Sequence, residues 1–307
     1  MVKTVKHNRI KDDKSVTSVI FKIVLFVLLI FFSMTIIVSF AFAFMTSFKT
    51  AEAFETDLLG LPIGESFTFN NYIDVFTVFR VKVKDGLSVG IMGMILNSII
   101  YSVGGGLLAT AVCCVTAYAV VRFNNWLSRV IYTIVIVCMA LPIVGSLPSE
   151  LQMLINLNLY DTQIGLVLLS SSFLGMHFLI LHASFKSLPS AYAEAARIDG
   201  AGEWRIFLTI MLPLVKFSVF TVFLLKFFTF WNNYETPLIH TPDRPVLAYG
   251  LFRIFHNVDV TTGSGIRAGT VPHKIAASMI VLIPVLLVFL FTHKHLLGNV
   301  SVGGIKG

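Results

Sequence analysis

Long apolar runs without charge constrain this chain more than any other feature of its sequence. Residues 23–47 contain no charged side chain, and about 20 apolar residues are enough for a helix to cross the hydrocarbon of a bilayer. Lipid offers no partner for backbone N–H and C=O groups, so a spanning segment of this kind must be helical. Only 13% of the 307 residues are charged and the mean hydropathy is +0.85. The sequence therefore predicts an all-α membrane protein.

Six such runs are predicted to cross the membrane, which puts both termini on one side. With the termini in the cytoplasm, the inner segments hold 14 Lys and Arg residues and the outer ones hold 8, as the positive-inside rule requires. The first run is longer than the core of a signal peptide, which favours an uncleaved anchor. The predicted organisation is a cytoplasmic segment 1–18, a membrane domain 19–300 with spans 23–47, 92–121, 130–147, 164–185, 214–238 and 275–292, a loop 187–213 between spans four and five, and a cytoplasmic tail 301–307.

The sequence lacks the patterns of catalytic, metal-binding and nucleotide-binding sites. The three cysteines lie in apolar runs without CxxC spacing, the eight histidines form no HExxH pattern, and no GxxxxGK[ST] phosphate loop is present. The net charge of +7 is spread along the segments that flank apolar runs, which argues against nucleic acid as a partner. We therefore predict no catalytic residue, no metal and no bound cofactor; any ATP would be bound by another chain.

The loop 187–213 differs in composition from the spans on either side of it. Pro189 and Ser190 are typical of a helix start, residues 191–199 are predicted to form a short helix, and Gly200 suits the left-handed position that ends one. A helix of this length is not stable alone in water, so it must rest on a surface. It is either a connector lying on the membrane or a rigid lever that enters a cleft on a partner chain.

The spacing of residues in this loop resembles the EAA loop of the membrane subunits of binding-protein-dependent ABC importers. Further stretches resemble the carbohydrate branch of that family, of the maltose-transporter type: "SFKT", "FNNYIDVF", "NSIIYS", "AYAVVRF", "FFTFWNNYETPLI" and the final "GGIKG". The residues to which the resemblance assigns coupling to the ATPase are Glu194, Ala195, Ala196, Asp199, Gly200, Ile210, Leu212 and Pro213.

The resemblance implies the type I ABC importer permease fold, with six transmembrane helices and a cytoplasmic coupling helix that sits in a cleft of the ATP-binding subunit. It implies alternating access, a second homologous permease chain, two ATP-binding subunits that carry ATP and Mg²⁺, and an extracellular or periplasmic solute-binding protein. It also implies a carbohydrate substrate and a place among the lipids of the bacterial plasma (inner) membrane. One alternative is an importer of another polar solute, such as a phosphate-bearing polyol or an acidic sugar. A secondary transporter is less favoured, because no paired inverted repeat is visible.

Polar residues within the spans are candidates for the solute pathway. Lys226 lies ten residues beyond Lys216, about 15 Å along a helix, and hence near the middle of the bilayer. A lysine there costs about 2.5–3.5 kcal/mol on insertion scales, so it is predicted to face either an acidic or hydroxylated sugar or a buried structural partner. The other candidates combine amide, aromatic and carboxylate side chains, although aromatic residues also mark membrane interfaces: Asn97, Trp231, Asn232, Asn233, Tyr234 and Glu235.

Two glycine-rich stretches each allow two interpretations. Residues 104–106 in span two predict either a tight helix contact or an unwound segment that lines the pathway. The end of the chain, residues 303–307, resembles the tail that reaches toward the ATP-binding dimer in the maltose type, and a frayed terminus explains it equally well.

Overall fold

The computed structural model describes residues 16–123, 125–141, 145–256 and 270–300, and most of these residues are helical. Most of the predicted segment 1–18 and the whole of the tail 301–307 lie outside the described residues. The α-helices are α1 Val16–Ser47, α2 Ala51–Thr56, α3 Asn70–Val78, α4 Ile91–Ile99, α5 Gly105–Phe123, α6 Trp126–Ala140, α7 Leu147–Asn156, α8 Gln163–Leu169, α9 Met176–Lys186, α10 Ala191–Ile198, α11 Glu203–Ile206, α12 Leu212–Leu214, α13 Lys216–Asn232, α14 Glu235–His240, α15 Leu247–Phe255 and α16 Val271–Val300.

Shorter elements complete the fold. Strands β1 (Arg80–Lys82) and β2 (Ser88–Gly90) form one antiparallel hairpin. The π-helical segment Ile100–Gly104 joins α4 to α5, and a second one, Phe207–Met211, joins α11 to α12. Two 3₁₀ turns occur at Gly64–Ser66 and at Lys84–Gly86, and the second of them connects β1 to β2.

Among the described residues, three helices are long and apolar enough to cross a membrane: Ser18–Ser47, Ile91–Phe123 and Val271–His293. They coincide with the first, second and sixth predicted spans. The third predicted span falls on α6, which has 15 residues and is therefore about 22 Å long. That length is less than the hydrocarbon thickness of about 30 Å.

The fourth predicted span, 164–185, is not one continuous helix. Residues 170–175 separate α8 from α9, and Gly175 has a φ of +113°, which residues with a side chain rarely adopt. The hydroxyl of Ser171 donates to the carbonyl oxygen of Leu168 at 2.6 Å, so a side chain satisfies part of the interrupted ladder. Hydropathy did not reveal the break, because serine and glycine carry no charge.

The fifth predicted span, 214–238, is bent at its beginning and ends early. The helical segments Glu203–Leu214 and Lys216–Asn232 meet at 80° on either side of Val215. Together they are long and apolar enough for one membrane span. Pro213 lacks an N–H group and so removes one hydrogen bond from the ladder just before the bend. Helix α13 ends at Asn232, and the rest of the predicted span belongs to the separate helix α14.

Helix α5 is central, with α9 and α13 packed on it. A Cβ atom on Gly106 would lie 3.3 Å from the ring of Phe223 in α13, and one on Gly104 would lie 3.2 Å from Val167 in α8. Glycine thus allows the helix backbones to approach closely. The structure agrees with the tight-contact interpretation of residues 104–106.

The motifs "SFKT" and "FNNYIDVF" fold against each other. The ring of Phe48 stacks on Phe67 with centroids 5.6 Å apart and contacts Tyr72 at 5.1 Å. Lys49 is only 1% exposed, and its ammonium donates to two backbone carbonyl oxygens of residues 57–58, at 2.8 and 3.0 Å. Both motifs therefore have a structural role: they fix the chain where α1 ends.

We expect Asn71→Ala to destabilise this junction by about 2–3 kcal/mol. The buried Asn71 amide donates to the carbonyl oxygens of Ser47 and Lys49, both at 2.8 Å, and alanine would leave both acceptors unpaired. Thermal unfolding of the purified protein measures the effect. The neighbouring Asn70 is exposed, so Asn70→Ala should change stability by less than about 0.5 kcal/mol. Equal shifts in the two variants would contradict the assignment.

Candidate functional site

Helix α10 forms the middle of the loop 187–213 and lies within one residue of its predicted bounds. Ser190 occupies the residue before the helix, as predicted, but its side chain makes no capping hydrogen bond. Its carbonyl oxygen instead accepts hydrogen bonds from the backbone N–H groups of Ala193 and Glu194, at 3.0 and 3.1 Å. Backbone bonds therefore define the start of α10.

Gly200 ends α10 in the left-handed conformation predicted from the sequence, with a φ of +80°. The N–H of Ala201 donates to the carbonyl oxygen of Ala196 at 2.9 Å, and that of Gly200 donates to Arg197 at 2.9 Å. This pair of bonds is the Schellman motif, which closes a helix C-terminus and fixes the exit direction of the chain. The geometry requires a positive φ at Gly200.

The two faces of α10 have different surroundings. Ala193 and Ala196 are buried against the cluster that contains Tyr118, Phe185 and Phe207. The small alanine side chains let the helix backbone pack on α11 and on the π-helical segment Phe207–Met211. The opposite face is exposed and partly apolar, and Ile198 is 87% exposed. The remaining exposed residues on α10 and its C-terminal turn are Ala191, Tyr192, Glu194, Ala195, Arg197, Asp199 and Gly200.

An ion-pair network ties α10 to its neighbours. The guanidinium of Arg197 donates from Nε to Glu203 Oε1 at 2.7 Å, and Arg122 at the end of α5 donates to Glu203 Oε2 at 3.4 Å. These two hydrogen-bonded cations, Arg197 first, hold the pKa of Glu203 below its ordinary value. Glu203 therefore remains ionised at neutral pH and links α10, α11 and α5.

The remaining residues of the EAA pattern follow Glu203 in the chain. Ile210 and Leu212 are half-buried and pack against the same cluster that receives α10. Pro213 is exposed beside the bend at Val215. The pattern thus separates into residues that hold the loop in place and residues that present its outer surface.

The sequence analysis did not identify Glu203, Arg122 or Trp204 as parts of this site. Arg122 lies 81 residues before Glu203, and no local pattern connects positions so far apart. Trp204 is 68% exposed and extends the apolar surface of the loop. A large aromatic residue outside the hydrocarbon was the one signal that could have marked it.

The structure distributes the predicted pathway residues rather than gathering them in one place. Asn97 donates from Nδ2 to the carbonyl oxygen of Pro245 at 3.0 Å. Asn233 donates to Thr236 at 2.9 Å and accepts from its backbone N–H at 3.1 Å, so it caps α14. Both asparagines therefore have local partners. Asn232 and Glu235 are exposed.

The two aromatic candidates are packing residues in this conformation. Trp231 is 2% exposed and donates from Nε1 to the carbonyl oxygen of Val281 in α16 at 3.2 Å. Tyr234 stacks on Phe252 with centroids 4.5 Å apart and an angle of 12° between the rings. The ring of Trp231 is thus enclosed by protein and offers no face to a solute.

Lys226 lies in α13 near two polar groups of neighbouring helices. It is close enough to Cys113 in α5 and His177 in α9 to act on both electrostatically. His177 is the second residue of α9, directly after the break at residues 170–175. In the described part of the chain, Lys226 forms no ion pair with a carboxylate.

A family model described as "Binding-protein-dependent transport system inner membrane component" matches residues 102–296, which is more than half of the chain. The chain belongs to this family. The matched region includes the loop 187–213 and Lys226, so the permease is a membrane-embedded subunit of a transport system.

Curated relatives of the permease are transport proteins from several bacteria. The diacetylchitobiose uptake system permease protein NgcG of Streptomyces coelicolor is 28% identical over 284 residues, covering 91% of this chain and 87% of the relative. The melibiose/raffinose/stachyose import permease protein MelC of Bacillus subtilis is 24% identical, over 69% of this chain and 75% of the relative. The sn-glycerol-3-phosphate transport system permease protein UgpE of Yersinia pestis is 33% identical over 155 residues, covering 49% of this chain and 53% of the relative.

A solved structure has the same fold. It is a chain of a bacterial ABC transporter involved in the import of the acidic polysaccharide alginate, with a TM-score of 0.72 and 23% sequence identity. The match covers 91% of this chain and 98% of that chain. The permease therefore has the mostly helical type I ABC permease fold.

Proposed function

We propose that this permease is the membrane subunit of an ATP-driven importer that moves a sugar or oligosaccharide by alternating access. The observation that carries the proposal is the geometry of α10: a short helix buried on Ala193 and Ala196, exposed on Tyr192 and Ile198, and fixed at its end by Gly200. A helix held in this way transmits a push on its exposed face to α11 and the π-helical segment Phe207–Met211, which lead into α13. This is the property that a coupling helix requires.

The proposed topology has six spans: α1, α4 with α5, α6, α8 with α9, α13 and α16. Both termini and the loop 187–213 then lie in the cytoplasm, as the distribution of basic residues favours. The interrupted helix at residues 170–175 is compatible with a span, because non-helical backbone is tolerated at membrane depth where protein surrounds it. The predicted third span, 130–147, also includes residues 142–144, which lie outside the described residues.

The coupling residues have distinct proposed roles. Glu194, Ala195 and Asp199 contact a cleft of the ATP-binding subunit, together with the exposed apolar side chains of α10. Ala196, Ile210 and Leu212 anchor the loop on the permease, because they are buried or half-buried in one cluster. Gly200 sets the exit of the chain and Pro213 the bend into α13.

The proposed partners are a second homologous permease, two ATP-binding subunits and an extracellular or periplasmic solute-binding protein. ATP and Mg²⁺ belong to the ATP-binding subunits, so this chain does not hydrolyse ATP itself. An apolar cavity of about 650 Å³ opens between α5 and α13, and we assign this surface to the second permease. Its largest lining side chains are Leu107, Trp204, Phe207, Leu208, Phe220 and Phe223.

A carbohydrate substrate is supported by the relatives that match most of this chain. NgcG and MelC are described as permeases for diacetylchitobiose and for melibiose, raffinose and stachyose, respectively. The experiment is reconstitution of the permease, copurified with its partner chains and the solute-binding protein, in liposomes that contain ATP. We expect accumulation of an oligosaccharide, with diacetylchitobiose and raffinose as the first probes, and loss of accumulation without an active ATP-binding subunit. Uptake by the permease chains alone would contradict the proposal.

A second candidate, an anionic solute, is favoured by Lys226. This cation lies near the middle of α13 beside His177, without a carboxylate partner among the described residues. A solute that carries a carboxylate or phosphate would supply the missing charge. The permease for sn-glycerol-3-phosphate and the transporter for alginate, both similar to this chain, are described with anionic solutes.

A further inference from the structure

A cavity of about 350 Å³ lies between the beginning of α6 and the end of α9. None of its residues belongs to the coupling residues or the solute pathway proposed above. Its polar and aromatic lining residues are Ser128, Arg129, Tyr132 and Thr133 from α6, and His182 and Lys186 from α9.

The cavity is suited to an anion. Arg129 and Lys186 are both exposed, and neither side chain has an ion pair with an acid in the described part of the chain. No acidic residue is present among the described residues that line the cavity. Two of the lining residues, Ser128 and Arg129, lie in the first turn of α6, where the helix dipole is positive. The ring of His182 contacts that of Tyr132, with centroids 4.7 Å apart, and forms one wall.

The surroundings of the cavity are suited to acyl chains. Trp126, at the first turn of α6, is 70% exposed, and exposed Trp residues are typical of the boundary between lipid and water. Further along α6 the exposed side chains are apolar, including Val130 and Ile134. In the topology proposed above, this cationic cavity opens at the inner surface of the membrane and the apolar face of α6 meets the hydrocarbon below it.

We propose that the cavity binds the phosphate headgroup of an anionic phospholipid of the inner leaflet. Arg129 and Lys186 contact the phosphate, and the acyl chains lie along α6. The inference rests on the proposed topology, in which the beginning of α6 faces the cytoplasm. Lys186 ends α9, and α10 begins only five residues later, so the bound lipid also fixes the base of the loop 187–213.

The test is titration of phosphatidylglycerol into the delipidated importer complex, with bound lipid counted by native mass spectrometry. Near a membrane surface each basic residue contributes roughly fivefold to the attraction of an anionic lipid. We therefore expect Arg129→Gln/Lys186→Gln to lower the apparent affinity for phosphatidylglycerol roughly 30-fold, and the single variant Lys186→Gln roughly fivefold. The single variant serves as the test if the double variant does not assemble.

The control is Lys22→Gln, matched to Lys186→Gln, which removes one exposed cation from the same side of the membrane but outside the cavity. It should retain phosphatidylglycerol as the wild type does. Equal affinity in all variants would overturn the proposal, as would displacement of the lipid by millimolar inorganic phosphate, which would indicate a site for a free anion. Lipid retention is measured without transport, so a complex that binds the lipid but fails to transport contradicts only the proposed function.

Discussion

Gly200→Val is expected to lower solute accumulation per ATP hydrolysed at least tenfold, while the importer complex remains assembled. Gly200 has a φ of +80° and open space where a Cβ atom would lie. Valine would therefore be disfavoured by the left-handed backbone conformation and not by a steric clash with a neighbouring residue. The left-handed conformation costs an L-residue about 1–2 kcal/mol, and more for a β-branched one. The chain would leave α10 in another direction, and the exposed face would no longer be presented to the ATP-binding subunit.

Gly202→Val is the matched control for this prediction. Gly202 lies two residues further along, also with open space around its Cβ position, but it has a φ of −71° and a ψ of 159°. Valine tolerates that extended conformation. Transport and ATP hydrolysis are measured together in proteoliposomes. If the two valine variants accumulated the same amount of solute per ATP hydrolysed, the proposed coupling role of α10 would be contradicted.

The loop was the part of the site that the sequence predicted best, because its signals are local. The alanine-rich stretch after Pro189 predicted α10 within one residue, and a glycine after it predicted the left-handed turn. The network around Glu203 could not be predicted in the same way. Its partner Arg122 comes from the end of α5, 81 residues earlier in the chain, and only the tertiary fold brings the two together.

Hydropathy located the long spans but could not describe their interruptions. Segments such as Ser18–Ser47 and Val271–His293 are continuous helices, as their composition predicts. The break at residues 170–175 and the bend at Val215 depend on backbone geometry. Hydropathy does not report this geometry, because serine, glycine and valine are all uncharged. Apolar character determines whether a segment can enter the membrane, and the local hydrogen bonds determine whether it stays helical.

The pathway residues were the least predictable part, because depth in the membrane does not specify which way a side chain faces. Trp231 is of a residue type that often binds sugars. Its ring, however, is enclosed by protein, and its N–H donates a hydrogen bond to a carbonyl oxygen of α16. Lys226 differs, since in the described part of the chain no carboxylate neutralises it. The proposed anionic solute would offset its cost in the membrane, since no described carboxylate does so.

Lys226→Met is expected to lower the preference of the reconstituted importer for an anionic over a neutral solute at least tenfold. Two opposite charges about 4 Å apart near a protein surface attract each other by about 4 kcal/mol, so losing even part of this attraction exceeds a tenfold change. Uptake of a uronate oligosaccharide is measured against a neutral oligosaccharide of equal length. Methionine is unbranched like lysine, only one atom shorter, and suits the apolar surroundings, so the fold should be retained.

Lys216→Met is the control, since it makes the same change at the first residue of the same helix, ten residues away from Lys226. It should leave the ratio of anionic to neutral uptake unchanged. An unchanged ratio in Lys226→Met, combined with weaker association of the permease chains, would instead assign Lys226 to an ion pair with the second permease. The same lysine would then hold the two halves of the importer together, and the solute would be selected by other residues.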